Sequence, residues 1–216
     1  MAVGAQAVSP SCLLLPLPLT HPPPTLSCTV CALQFVEEEG VVAIAAALPR
    51  SRLATLNLSE INRNHDHGMS GFVAIARALK ASDRLTCLNL SSNDIDVPAC
   101  KALADALAAN RVLARLDLSS NRLCGTTGGM RRTGTYDASA IRALAHALLQ
   151  DESALTDLNL RCNELGDEGG RAMAELLEAN ARLTKCDLSS NGFGDEGKQA
   201  VRGVCKARAV GCELQV

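Results

Sequence analysis

Aromatic side chains are scarce in this chain of 216 residues: they make up 2% of it, with no tryptophan and a single tyrosine. Any large core must therefore be aliphatic. The charges nearly cancel, giving a formal net charge of −2, and no basic stripe runs along the chain, so we expect no nucleic acid partner. The Gly-x-x-x-x-Gly-Lys-Ser/Thr loop that cradles phosphates is missing too, which excludes a nucleotide-binding domain of that kind.

The first 25 residues lack the features of a targeting signal. Residues 1–11 contain no Lys or Arg, and Pro16 and Pro18 interrupt the apolar run. That run is also too short to cross a bilayer, so we expect no membrane partner. We interpret residues 1–25 as a disordered proline-rich leader, with a secretory signal as the alternative.

What the chain does contain is a recurring segment, which reads LTDLNLRCNEL at residues 155–165. Relatives of this segment begin at five other leucines: Leu26, Leu53, Leu85, Leu113 and Leu183. Successive intervals are 27, 32, 28, 42 and 28 residues. The interval of 42 contains an insert at 125–137, and counting on from the last repeat places Leu214 in one further strand. A fixed period of this length predicts stacked units that share one continuous core.

Each unit has room for a strand and a helix. In the strand half, period-two alternation sends the apolar fourth and sixth positions inward and the third, fifth and seventh outward. In the helix half, apolar pairs four residues apart lie on one helix face. They are Ile44/Leu48, Ile75/Leu79, Leu103/Leu107, Leu144/Leu148, Met173/Leu177 and Val201/Cys205. We therefore predict parallel strands alternating with helices.

An asparagine follows the strand in most units, and an amide there can donate to and accept from the buried backbone of the turn. These residues are Asn93, Asn121, Asn163 and Asn191. Two positions depart from the pattern: Ile61 stands where this asparagine is expected, and Cys186 replaces a fourth-position leucine. Helix starts are predicted at Asp96-Val97-Pro98 and at the Gly-Asp-Glu-Gly runs of 166–169 and 194–197.

The period, the L-(D/N)-L-S-x-N core, the Gly-Asp-Glu-Gly turn and the Ala/Leu helix resemble the ribonuclease-inhibitor-like class of leucine-rich repeat proteins. That class includes ribonuclease inhibitor, the Ran GTPase-activating protein and the repeat regions of NOD-like receptors. The resemblance implies an α/β leucine-rich-repeat solenoid, or horseshoe, with parallel strands on the concave face and helices on the convex face. It covers residues 26–216, as about six repeats plus a terminal strand.

Ten cysteines are present, and their scatter follows the repeat. Cys31 and Cys186 take inward strand positions and Cys205 an inward helix position, where a thiol acts as a small apolar group. This is not the pattern of a secreted disulfide framework, so we expect a cytoplasmic protein.

Two short motifs raise the question of metal binding. Cys28 and Cys31 form a C-x-x-C pair suited to zinc or redox chemistry, but zinc needs four ligands and no second pair is present. We favour a degenerate strand with one cysteine facing in and one out. His65 and His67 are interpreted as part of a polar loop. We expect no metal and no cofactor.

The outward strand positions hold the candidate binding residues: Arg115, Asp117, Asp157, Asn159, Arg161, Lys185 and Asp187. Arg161 interrupts a column of serines at the seventh position and is the first choice for a contact residue. Its alternative role is to pair with Asp117 or Asp187. The third-position charges alternate in sign along Arg115, Asp157 and Lys185, which suggests pairing across strands. With no aromatic residue on this face, we expect a polar, salt-sensitive interface of moderate affinity.

The insert at 125–137 is the second candidate surface. It holds Arg131, Arg132 and Tyr136 and is rich in glycine, while Asp137 is placed to cap the following helix. One interpretation is a rim loop that grips a partner. The other is a neutral insertion, since loops tolerate extra length at little cost.

Two functional hypotheses follow. The first is a non-catalytic protein–protein interaction module, a scaffold or regulatory protein with another protein as its partner. The second is a GTPase activator resembling the Ran GTPase-activating protein, although that protein ends in an acidic tail and this chain ends Cys-Glu-Leu-Gln-Val. Neither end of the array looks like a polar cap, so we also expect either a longer array or end-to-end self-association.

Overall fold

A computed structural model of the chain describes residues 26–29, 38–62, 68–125, 134–150, 152–207 and 213–215. Strands and helices alternate along it. The strands are β1 (Leu26–Thr29), β2 (Leu53–Asn57), β3 (Cys87–Asn89), β4 (Arg115–Asp117), β5 (Asp157–Asn159), β6 (Lys185–Asp187) and β7 (Glu213–Gln215). The helices are α1 (Glu38–Ala47), α2 (Ser70–Ala81), α3 (Val97–Leu107), α4 (Ser139–Leu148), α5 (Gly166–Ala179) and α6 (Asp195–Ala207), with a 3₁₀ turn at Leu48–Arg50.

The strands form one parallel sheet in sequence order, from β1 to β7. From β2 onward the register aligns equivalent repeat positions, so that each fourth-position residue faces the next. Neighbouring strands lie about 4.8 Å apart, whereas packed helices need about 8–10 Å. The sheet is therefore the inner, concave layer and the helices the outer one. The predicted α/β solenoid is confirmed.

The core lies between these two layers. Fourth- and sixth-position side chains of β2 to β6 are at most 2% exposed: Leu56, Leu58, Leu88, Leu90, Leu116, Leu118, Leu158, Leu160, Cys186 and Leu188. The predicted helix pairs of α2 to α5 are at most 3% exposed and pack against them. Ile44 and Cys205, in the first and last helices, are only partly buried. Each fully buried leucine contributes about 1.5–3 kcal/mol, so this aliphatic double layer is the main source of stability.

The predicted asparagines are buried and bridge neighbouring repeats. Asn121 Oδ1 accepts from the backbone N–H of Asn93 and of Ile95, both at 3.0 Å, and its Nδ2 donates to Leu90 and Leu118 carbonyls. Asn93 and Asn191 repeat most of this pattern. These three amides thus satisfy backbone groups of two turns that would otherwise be buried without partners. Asn163 Nδ2 donates to the Leu118 and Leu160 carbonyls at 2.9 and 3.0 Å, while its Oδ1 has no hydrogen-bond partner in the described part of the chain.

The repeat that lacks the asparagine uses the residue next to it. Ile61 is 4% exposed at the expected position, and its N–H donates to Asn93 Oδ1 at 2.9 Å. Asn62 is 2% exposed, and its Nδ2 donates to the Asn93 carbonyl at 3.1 Å. The side chain of Asn62, one residue after Ile61, therefore still links this turn to the next repeat.

A second polar row, not predicted from the sequence, closes the turns that lead from helix to strand. Asn110 Nδ2 donates to the Leu79 carbonyl of the preceding repeat at 2.8 Å, while its Oδ1 accepts from Leu113 N–H at 2.8 Å. Asn180 makes the equivalent bonds with Leu148 and Leu183. Serines take this place in the other repeats: Ser51, Ser82 and Ser153. An asparagine or serine two or three residues before a repeat leucine is the signal that would have revealed it.

The last two helices approach closely through glycine. Asp167 Oδ1, in the first turn of α5, accepts from the N–H groups of Gly194 and Gly197 at 2.8 Å each. A Cβ at Gly197 would lie 2.6 Å from that oxygen, and one at Gly170 would lie 3.1 Å from the Gly197 Cα. The Gly-Asp-Glu-Gly runs therefore begin helices, as predicted, and also join one repeat to the next. Helix α3 begins as predicted as well, with Asp96 accepting from the Ala99 N–H at 3.0 Å.

The first strand departs from the repeat count. Its register shifts by one residue after Leu26, so that Cys28 lies opposite Leu56, where counting from Leu26 places Thr29. The side chain of Cys28 lies outside the described part of the chain, so the predicted inward and outward assignment of the C-x-x-C pair stays a prediction. Cys31 itself lies outside the described residues.

Burial keeps two thiols of the folded chain protonated and therefore unreactive. Burial raises the pKa of Cys100 and of Cys124 to about 12. At pH 8 only about one such thiol in ten thousand is ionised, so a thiolate-seeking reagent should leave both unmodified in the folded protein. Half-buried Cys162 is the accessible control. Equal labelling of Cys162 and Cys100, read by mass spectrometry, would contradict this.

The same shift sets the direction in which stability changes with pH. Unfolded thiols lose their protons near the ordinary value of 9.0, while Cys100 and Cys124 keep theirs in the fold. Above pH 9 the folded state therefore binds more protons than the unfolded state. The free energy of unfolding should fall as the pH rises beyond that value, and denaturant titrations at several pH values measure this.

Candidate functional site

The concave face of the sheet carries the outward third, fifth and seventh positions. The register places Arg115, Asp157 and Lys185 beside one another on β4, β5 and β6, as predicted from their spacing. It likewise aligns Asp117, Asn159 and Asp187. We call the outward side chains of these three strands, together with the seventh-position residues that follow them, the β4–β6 face. It brings together all seven concave candidates named from the sequence.

The fifth-position row has a structural role that the sequence did not reveal. In each repeat its side-chain oxygen accepts from the backbone N–H two residues later, at 2.9–3.1 Å. The residues are Asn57, Asn89, Asp117, Asn159 and Asp187. These bonds fix the chain where it leaves each strand, in the manner of an Asx turn. One oxygen of each side chain is consequently engaged within the fold before any partner arrives.

Asp117 is the most fully engaged of these carboxylates. Its Oδ1 accepts from the Ser119 N–H at 2.9 Å and hydroxyl at 2.7 Å, and its Oδ2 accepts from Asn159 Nδ2 at 3.0 Å. Asp187 Oδ1 accepts from both groups of Ser189 in the same way. Two serines of the seventh-position column, Ser119 and Ser189, therefore donate to the carboxylates of the fifth-position row and use part of their capacity to accept hydrogen bonds.

Arg161 stands in this serine column with an exposed side chain. Its backbone N–H donates to Asn159 Oδ1 at 3.1 Å, and its carbonyl accepts from the Ser120 N–H at 2.8 Å. Among the described residues, no ion pair joins its guanidinium to Asp117 or Asp187. The alternative role as a partner of either aspartate is therefore not adopted, and the side chain points into solvent from a fixed backbone.

Neighbouring Cys162 has a backbone requirement of its own. Its φ of 55° is left-handed, as are those of Ser92, Ser120 and Ser190 at the same repeat position. Non-glycine residues pay a conformational cost there, which the stacked turns impose. Cys162 thus replaces the serine that these repeats carry at the eighth position, and it keeps the same backbone conformation.

The insert is held at its base. Asp137 N–H donates to the Cys124 carbonyl at 3.0 Å, and a Cβ at Gly125, where φ is 75°, would lie 2.7 Å from the Thr135 carbonyl oxygen. Asp137 Oδ1 accepts from the Ser139 N–H, at the first residue of α4, at 2.7 Å, although the N-cap position is Ala138 and not Asp137 as predicted. Hydrogen bonds from Ser139 lower the pKa of the Asp137 carboxyl.

Tyr136 is anchored to the next repeat. Its hydroxyl donates to the Leu165 carbonyl at 2.5 Å. Its ring lies over Gly166, where an added Cβ would be 3.4 Å from the hydroxyl oxygen. The residue as a whole remains 39% exposed. The insert therefore braces two repeats at this point, whatever it contacts elsewhere. Arg131 and Arg132 lie outside the described residues.

Within the described residues, no group of three or more His, Cys, Asp and Glu side chains is placed to hold a metal ion. His65 and His67 lie outside that part of the chain. In the same described ranges, no helix has both the length and the apolar character needed to cross a bilayer.

Comparison with known proteins agrees with this architecture. A family model described as leucine-rich repeat matches residues 85–104, 153–174 and 179–201. RAN GTPase-activating protein 2 of Arabidopsis thaliana is 30% identical over 144 residues, which make up 66% of this chain and 24% of that protein. The match thus spans about a quarter of the length of that relative.

Two solved structures are similar in fold. The actin-binding site 2 of leiomodin-1 has a TM-score of 0.55 and 21% identity, over 78% of this chain and 85% of that one. The tropomodulin C-terminal domain of Caenorhabditis elegans has a TM-score of 0.56 and 14% identity, over 79% and 92%. At these identities the likeness concerns the fold alone.

Stacked strand–helix units, a buried asparagine row and an aliphatic double layer define a repeat solenoid that presents one long exposed sheet face. The chain carries leucine-rich repeats, and its strand–helix units have the fold of the ribonuclease-inhibitor-like class of such proteins.

Proposed function

We propose that the chain is a non-catalytic protein–protein interaction module that binds a partner protein through the β4–β6 face. The observation that carries this proposal is that the repeats differ in the charge of their outward residues. Outward positions of β2 and β3 hold uncharged residues, while Arg115, Asp157, Arg161 and Lys185 are confined to three adjacent strands. Solenoids use such extended concave surfaces for binding, and repeat-specific residues there are not needed by the scaffold. The actin-binding description of the leiomodin-1 relative supports a protein-binding use of this fold.

An affinity capture experiment tests the proposal. The chain is immobilised, exposed to cell extract, and compared with an Arg161→Ala variant and with Arg202→Ala, which removes an exposed arginine from α6 on the helical side. We expect proteins that are retained by the wild type and by Arg202→Ala to be weakened or lost with Arg161→Ala. Identical capture by all three proteins would remove Arg161 from the interface, and capture of nothing above background would contradict the proposal itself.

A GTPase activator is the second candidate function, and the observation that favours it is the 30% identity to RAN GTPase-activating protein 2. The decisive measurement is the rate of GTP hydrolysis by Ran with and without the chain. The binding-only proposal expects no acceleration above the intrinsic rate. A rate that rises with the concentration of the chain would establish the alternative.

A further inference from the structure

The charges on the β4–β6 face are sorted by depth. Its cations, Arg115, Arg161 and Lys185, are all exposed, whereas its acidic side chains, Asp117, Asp157 and Asp187, are all half-buried. Formal charges on the face cancel, but a partner that approaches it meets the three cations first. We call these three residues the cation triangle.

The recessed acids are held in place by their own neighbours. Asp117 is bound by Ser119 and Asn159, and Asp187 by Ser189, as described above. Short carboxylate side chains tied to the strand ends cannot rise to the level of long arginine and lysine side chains. Hydrogen bonds therefore hold Asp117 and Asp187 below the cations, and the shorter side chain keeps Asp157 below them as well.

The cation triangle is also confined along the sheet. The corresponding positions of β2 and β3 are half-buried and uncharged: Thr55, Asn57, Ser59, Cys87, Asn89 and Ser91. The cations are thus a local patch on a chain of net charge −2. The three side chains extend from neighbouring strands about 4.8 Å apart. The Arg161 backbone is held by hydrogen bonds to Asn159 and Ser120, so the cation triangle has a rigid base.

Resting on the proposed function, we infer that the cation triangle binds an acidic segment of the partner protein, with carboxylates of that segment paired to Arg115 and Arg161 and with Lys185 adding positive charge beside them. Arginine favours bidentate pairing with carboxylate, which gives geometry as well as attraction. A nucleic acid strand fits less well, because this face offers no aromatic side chain for base stacking.

Fluorescence anisotropy with three labelled probes tests the inference. They are a short peptide of alternating Glu and Ser, the same peptide with Gln in place of Glu, and a short single-stranded thymidine oligonucleotide. We expect the full chain to bind the Glu peptide in preference to the other two, and to lose this binding as salt is raised. Replacing all three cations, by Arg115→Thr, Arg161→Ser and Lys185→Thr, should weaken binding about tenfold, and Arg161→Ser alone about threefold.

These substitutions restore residue types that other repeats carry at the same positions, so the fold should tolerate them, and circular dichroism checks this. Arg202→Ser on α6 is the matched control and should leave binding unchanged. Equal binding of the Glu and Gln peptides, no loss in the triple variant, or tighter binding of the oligonucleotide would each overturn the inference. If the Glu peptide does not bind while proteins are still captured through Arg161, the inference fails and the proposed function stands.

Discussion

Replacing Asn93 with alanine should lower the free energy of unfolding by about 3–5 kcal/mol. The substitution leaves three buried backbone groups without a partner. Two are the N–H groups of Ile61 and Asn62, which donate to Asn93 Oδ1 at 2.9 and 3.1 Å. The third is the Leu58 carbonyl, which accepts from Asn93 Nδ2 at 2.7 Å. These groups are buried at the junction of two repeats, and each costs about 1–3 kcal/mol without a partner. The Leu90 carbonyl is spared, because Asn121 Nδ2 also donates to it.

Asn89→Ala is the matched control for this experiment. Asn89 lies in the same repeat but is half-buried, and its oxygen accepts a single bond, from the Ser91 N–H at 2.9 Å. Its loss should cost about 0.5–1.5 kcal/mol. Denaturant unfolding followed by far-ultraviolet circular dichroism measures both values. An Asn93→Ala variant no less stable than Asn89→Ala would show that the asparagine row is not what closes these turns.

Replacing Gly197 with alanine should destabilise the chain by about 1–3 kcal/mol. The new methyl carbon would lie 2.6 Å from Asp167 Oδ1 and 3.1 Å from the Asp167 Cα, which is backbone and cannot rotate away. The carboxylate would have to move away from the N–H groups of Gly194 and Gly197, each of which now donates a hydrogen bond of 2.8 Å to it. The join between α5 and α6 would then loosen at its tightest point.

Gly203 lies in the same helix and provides a control of opposite sign. A Cβ there meets nothing within 4 Å, and the position is exposed. Gly203→Ala should therefore stabilise α6 by about 0.5–1 kcal/mol, because alanine has the higher helix propensity and restricts the unfolded chain. Thermal and denaturant unfolding compare the pair. If Gly197→Ala also stabilised the chain, helix propensity, and not the contact with Asp167, would govern Gly197.

The sequence was sufficient to predict the strands, the helices and the row at Asn93, Asn121, Asn163 and Asn191, because these recur at a fixed spacing and one physical cause explains every copy. Contacts that occur once do not have that advantage. The hydrogen bonds of Asp167 with Gly194 and Gly197 depend on how closely two helices approach, and the bond from Asn62 to the Asn93 carbonyl depends on a turn geometry that no local pattern states. Such features need coordinates, since they arise from the distance between repeats.

The candidate face shows the same division. That Arg115, Asp157 and Lys185 are neighbours could be predicted, because parallel strands one repeat apart align equivalent positions. Their depth could not, because Asp117 and Arg161 both read as outward polar residues in the sequence. Only the bonds from Ser119 and Asn159 reveal that the aspartate is recessed and the arginine is not.

The anchoring of Tyr136 to Leu165 has a spectroscopic consequence. The chain contains one tyrosine and no tryptophan, so nearly all its intrinsic fluorescence arises at the junction of the insert with α5. Circular dichroism, in contrast, averages over every helix. In an array where each repeat touches only its neighbours, the two signals need not change together. The natural sequence thus carries a local probe at one joint of the rod, and it needs no added label to show whether that joint opens before the rest.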